Sequence, residues 1–136
     1  MDIGNFVLNL HSLVRWLVIL ISLVTMLWFA LTWVRRVHNE TTDRVLMNTF
    51  TGLIDLQVLL GLILLIGDGI GSGTWPAYRI EHGVTMFIAA VVAHSSRMWR
   101  KKESRVRARN NFLTIVAVLV IVAFGISLLP YNAWTR

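Results

Sequence analysis

Long apolar runs, broken by short polar stretches, fill almost the whole chain. The first covers 6–34, and others follow near 44–66, 77–98 and 110–129. About 20 apolar residues in an α-helix cross the ~30 Å hydrocarbon core of a bilayer. The pattern therefore predicts an all-α protein, an integral membrane four-helix bundle forming one domain over 1–136. The break "TWVRRVHNETTD" offers Thr42 or Asp43 as N-cap of the second helix. The break "GDGIGSGTWP" reads as a flexible glycine-rich loop, Asn110 and Asn111 precede the fourth run, and Pro130 ends it. The glycines Gly67, Gly69, Gly71 and Gly73 follow no strand and lack the spacing of a phosphate loop.

Composition strengthens this reading. With 56% hydrophobic and 15% charged residues, the chain has too little polar surface for a water-soluble domain of its size. Asp2 is the only charge before Arg15, and the first run is too long for a cleavable signal peptide, so it is expected to remain as a spanning helix. The absence of cysteine excludes disulfides, thiolate metal sites and cysteine-attached haem.

Charge sets the expected topology. Seven of the thirteen basic residues fall between the third and fourth runs: Arg97, Arg100, Lys101, Lys102, Arg105, Arg107 and Arg109. Arg35, Arg36 and Arg44 flank the first break. The positive-inside rule then makes loops 35–43 and 99–109 cytoplasmic and both termini outside, in a bacterial inner membrane. Trp33 and Trp99 suit the inner boundary, and Trp75, Tyr78, Tyr131 and Trp134 the outer one. This clustering is a topology signal, so the formal charge of +6 does not imply nucleic acid. The segment 97–109 is expected to attract anionic lipid head groups.

Polar residues inside the spans carry the candidate chemistry, because an ionisable group at mid-bilayer costs roughly 2.5–3.5 kcal/mol. They are His11 and Arg15, Asp55 and Gln57, and Glu81, His82 and His94. At about 1.5 Å rise per residue, His11 and His82 share a level about 8 Å below the outer boundary, with Arg15, Gln57 and Asp55 at about 14–18 Å. Three readings stand beside one another. Arg15 and Asp55 can form a structural polar pair with hydrogen-bonded histidines. His11 and His82 can be the two axial ligands of one haem b, with Arg15 offsetting propionate charge and Glu81 orienting an imidazole. A quinone can be held by His82, Glu81, Arg15 and Gln57. A second haem on His94 is not expected, since twelve residues place it about 120° around the helix from His82. His94 itself is expected to be a solvated interfacial residue. Asp55 and Gln57 are two residues apart, so only one can face His11 and Arg15. Gly61 is expected to permit close approach of a neighbouring helix. The fourth run has no ionisable residue and reads as a wall facing lipid or a partner.

The stretches "LHSLVRW", "LQVLLGLIL", "RIEHGVTM", "AHSSR" and "SLLPYNAW" resemble a family of small bacterial four-helix membrane proteins labelled cytochrome-b-like. By position His11, Ser12, Arg15, Trp16, Gln57, Gly61, Glu81, His82 and Arg97 match, while the glycine-rich second break departs from the pattern. The resemblance implies a membrane-embedded electron-transport protein associated with haem or quinone. A 15.5 kDa bundle has little room for a dehydrogenase or oxidase activity of its own, so a subunit of a larger respiratory or photosynthetic complex is expected rather than an independent enzyme. A cofactor-free accessory subunit is the alternative. A transporter is not expected, as no paired discontinuous helices occur.

Overall fold

A computed structural model describes residues 2–130. Its four helices are α1 (Ile3–Arg35), α2 (Glu40–Ser72), α3 (Ala77–His94) and α4 (Ser104–Ser127), and α3 continues into a 3-10 segment, Ser95–Trp99. The described residues contain no strand. Each helix packs along its two neighbours, α1 on α2, α2 on α3, α3 on α4 and α4 back on α1. Four-residue connectors at 36–39, 73–76 and 100–103 leave no room for a crossover, so consecutive helices run antiparallel. Three helices, α1, α2 and α4, are long and apolar enough to cross a membrane. Leu13, Leu20, Leu27, Leu59, Phe87, Val120 and Phe124 face outward around the bundle, an apolar surface suited to lipid and not to water.

The helix ends differ from the sequence expectation in three places. Asn39, not Thr42 or Asp43, caps α2, accepting from the Thr42 backbone N–H at 3.0 Å. The expected glycine loop is the last part of α2, which continues through Gly67, Gly69 and Gly71 to Ser72. Each helical glycine costs about 1 kcal/mol relative to alanine. Contacts offset this: the Trp75 indole folds back onto Gly69, Asp68 pairs with Arg79, and the Ser72 hydroxyl donates to the Asp68 carbonyl at 2.7 Å. Gly73 then ends the helix in the left-handed region, at φ +66°. At the other end α4 starts at Ser104, well before Asn110. Asn111 does not break it, because its Oδ1 accepts from Trp99 Nε1 at 2.7 Å across the connector. Tyr131 and Trp134 lie outside the described residues.

Side-chain size is unevenly distributed along the bundle. The end carrying the α1–α2 and α3–α4 connectors, the basic end, is filled by Phe29, Phe50, Ile115 and Val118, with Ala89 and Ala93 letting α3 approach. There Asp43 is buried, accepting from Trp28 Nε1 at 2.7 Å and pairing with Arg107 at 3.3 Å, so one carboxylate joins α1, α2 and α4. Towards the opposite end the core is made of Val14, Val18, Leu60, Met86, Val122 and Ile126, with no buried aromatic side chain among the described residues. That difference opens the bundle where the polar residues lie.

Candidate functional site

A cavity of about 380 Å3 runs into the bundle from the end opposite the basic connectors. This is within the range of small-molecule sites, about 300–1,000 Å3. All four helices contribute to its wall: Val18 from α1, Ile54 and Val58 from α2, Met86 and Ala89 from α3, and Val122 and Ile126 from α4. Into this apolar lining project His11, Ser12, Arg15, Gln57 and His82, and the Asp68–Arg79 ion pair stands near the mouth.

Hydrogen bonds fix the proton positions on both histidines. The Nδ1 of His82 lies 2.8 Å from the Gly125 carbonyl oxygen. A carbonyl only accepts, so Nδ1 carries the proton and the neutral ring keeps its lone pair at Nε2. Gly125 sits in the last turn of α4, where main-chain carbonyls lack a helical partner. Its missing side chain matters too, since a Cβ would come within 2.2 Å of Met86 Cε and 3.1 Å of Thr85 Cγ2. Gly125 thus brings α4 close to α3 and presents its oxygen to the imidazole.

On the other wall, Gln57 Nε2 donates to the His11 carbonyl at 3.1 Å and lies 3.3 Å from His11 Nε2. The bond to the carbonyl makes this atom the amide NH2, so His11 Nε2 accepts and Nδ1–H carries the ring proton. In this pair of side chains the donor His11 Nδ1 and the acceptor Gln57 Oε1 are left buried with no hydrogen-bond partner among the described residues. The His11 ring rests against Gly61, where a Cβ would lie 3.3 Å from Cε1. The close approach expected at Gly61 is therefore made by this side chain. Arg15, only 9% exposed, completes the wall and holds its guanidinium carbon 5.4 Å from the centroid of the Trp16 ring.

Two candidate residues lie elsewhere. Glu81 is exposed and does not line the cavity. Asp55 does not face Arg15: its carboxylate is bound by His94 Nε2 at 2.8 and 3.0 Å, on the outer surface between α2 and α3. Rotation of α2 decides this, directing Gln57 inward and Asp55 sideways, two residues apart on the helix. His94 is correspondingly a partner of Asp55 rather than a solvated interfacial residue. Reading the sequence missed Gly125, and α4 is not a plain wall. The available signal was a lone glycine in the final turn of α4, at the level of His82 on the neighbouring helix.

The polar residues that line the cavity are thus His11, Ser12, Arg15, Gln57 and His82, with the His82 ring keeping its lone pair at Nε2. No family model, curated protein or solved structure matches this chain.

Proposed function

We propose that this protein is a small membrane component of electron transport whose cavity binds the head group of a quinol–quinone couple. The observation that carries the reading is that His82, with its lone pair at Nε2, and Gln57, whose Oε1 has no hydrogen-bond partner among the described residues, line one apolar cavity. A quinol has two hydroxyl donors for such acceptors. The oxidised ring has two carbonyl oxygens, for which Arg15 and His11 Nδ1–H are donors. The lone pair at His82 Nε2 can accept a proton from a bound hydroxyl.

In this reading α3 also spans, both termini lie outside a bacterial inner membrane, and the basic connectors are cytoplasmic, as the arginine and lysine distribution favours. The chain then serves as a subunit of a larger respiratory or photosynthetic complex, which supplies the electron partner. The resemblance to the cytochrome-b-like family agrees with this role, and His11, Ser12, Arg15, Gln57 and His82 of its matching residues line the cavity. A second reading, one haem b, is favoured by the His82 Nδ1–H bond to a carbonyl, an arrangement common among metal-binding histidines. In that case His11 would have to release Gln57 to act as the opposite ligand.

Solvent extraction of the purified protein tests the proposal. Quinone in near-stoichiometric amount is expected, reduced at least fivefold in Gln57→Leu and His82→Ala. Retention of quinone in both variants refutes the assigned residues. A Soret band lost in both His11→Ala and His82→Ala selects haem. If neither cofactor is present in protein purified with its complex, the accessory-subunit alternative replaces both.

A further inference from the structure

A second cavity, about 200 Å3, lies at the basic end between the first turns of α2, the 3-10 segment and the start of α4. Arg44, Arg97, Arg100 and Arg107 surround it, drawn from separate segments of the chain, with Glu40 and Asp43 as the acids. Their charges are unequally satisfied. Arg107 is bound to Asp43 at 3.3 Å and to the Lys102 carbonyl at 3.2 Å. Among the described residues, no carboxylate forms an ion pair with Arg44, Arg97 or Arg100. Folding has brought three exposed arginines without ion-pair partners among the described residues to the lining of one cleft, where an anion would offset their like charge.

This is not a general property of the basic stretch. Lys101, Lys102, Arg105 and Arg109 belong to the same stretch but do not line the cavity. A neutral group points the same way. Asn111 is 4% exposed and uses Oδ1 to accept from Trp99, so its remaining group at the cavity is the NH2 donor. That NH2 makes no hydrogen bond among the described residues.

We propose that this cavity binds a phosphate group, with Arg44, Arg97 and Arg100 on its oxygens and the Asn111 amide at its floor. Guanidinium forks match phosphate oxygens in geometry and charge. The volume is below that of an ordinary small-molecule site, about 300 Å3 or more, and suits a compact anion. A lipid phosphate and a free phosphate share this chemistry. The site is independent of the quinol reading, because it lies at the other end of the bundle.

The test uses the full-length protein in detergent, with phosphatidic acid binding followed by native mass spectrometry and inorganic phosphate binding by calorimetry. The triple variant Arg44→Gln/Arg97→Gln/Arg100→Gln is compared with Lys101→Gln/Lys102→Gln/Arg105→Gln, which removes the same charge from the same end. Binding at least tenfold weaker in the first and within twofold in the second supports the site. Such a loss for the lipid alone identifies a head-group phosphate, and such a loss for inorganic phosphate identifies a free anion. Equal losses in the two variants mean diffuse surface attraction and overturn the proposal, as does failure of both probes to bind. Should the triple variant not fold, Arg97→Gln against Arg105→Gln repeats the comparison with one charge, at a smaller expected difference of about threefold.

Discussion

Replacing Asp43 with alanine removes the one side chain of α2 that, among the described residues, bonds to both α1 and α4. In the native bundle its side chain is 6% exposed and that of Arg107 13%, so the pair is largely withdrawn from solvent. Deleting one member of a buried ion pair costs about 3–5 kcal/mol, chiefly through the charge left behind. The stranded Trp28 N–H adds about 1–3 kcal/mol, although the two losses share one carboxylate and do not sum. Two features reduce the total. Arg107 keeps its bond to the Lys102 carbonyl, and it borders the basic-end cavity, from which water can reach it. The net expectation is about 3 kcal/mol, or a fall in Tm of about 10 °C for a chain of this size. Asp43→Asn keeps an acceptor for Trp28 and is expected to lose about half as much. Thermal unfolding in detergent, followed by circular dichroism, measures both, and a cycle with Arg107→Ala isolates the pair. A Tm decrease below about 3 °C for Asp43→Ala, or strict additivity with Arg107→Ala, would refute the coupling described here.

Other variants probe the cavity and the helix surfaces. Gly61→Val places methyl groups where the His11 ring lies; it is expected to break the Gln57–His11 contact and weaken quinone retention at least tenfold, measured by extraction. Gly69→Ala forces a Cβ against the Trp75 indole, and lifting the ring should shift tryptophan emission while the helical content is unchanged. On the α2–α3 surface, His94→Leu leaves the Asp55 carboxylate without its partner and is expected to lower Tm. The double variant His94→Leu/Asp55→Leu should recover most of that loss, because an apolar pair can replace an ion pair at little cost; a double variant no more stable than the single one would contradict this.

The sequence pattern made the number of helices and the relative level of several polar residues along the bundle legible. Apolar run length reports helices directly, and a constant rise per residue converts sequence position into depth. His11, Arg15, Gln57 and His82, assigned to neighbouring levels in this way, do line the same cavity. Rotation about each helix axis was not legible. The alternative "Asp55 or Gln57" depends on a few tens of degrees of rotation that only interhelical packing sets, and packing placed Asp55 beside His94. The boundaries of α2 and α4 failed for a related reason. Gly67 to Gly71 and the stretch before Asn110 are poor helical signals locally, but Trp75 on Gly69 and Trp99 on Asn111 stabilise them from outside the segment. Gly125 was missed because its contribution is a main-chain oxygen, which side-chain chemistry does not advertise.

The uneven filling of the bundle also has an electrical consequence. The bulky residues around Phe29, Phe50 and Ile115 form an insulating plug over the basic half, while the cavity reaches inward from the opposite end. Moving one elementary charge across the full membrane voltage changes its energy by about 2.3 kcal/mol per 100 mV. If the cavity holds a quinol as proposed, a proton exchanged between His82 and the nearer aqueous phase would cross only the part of that voltage between the cavity and its mouth. On that proposal its exchange rate is expected to respond only weakly to membrane potential.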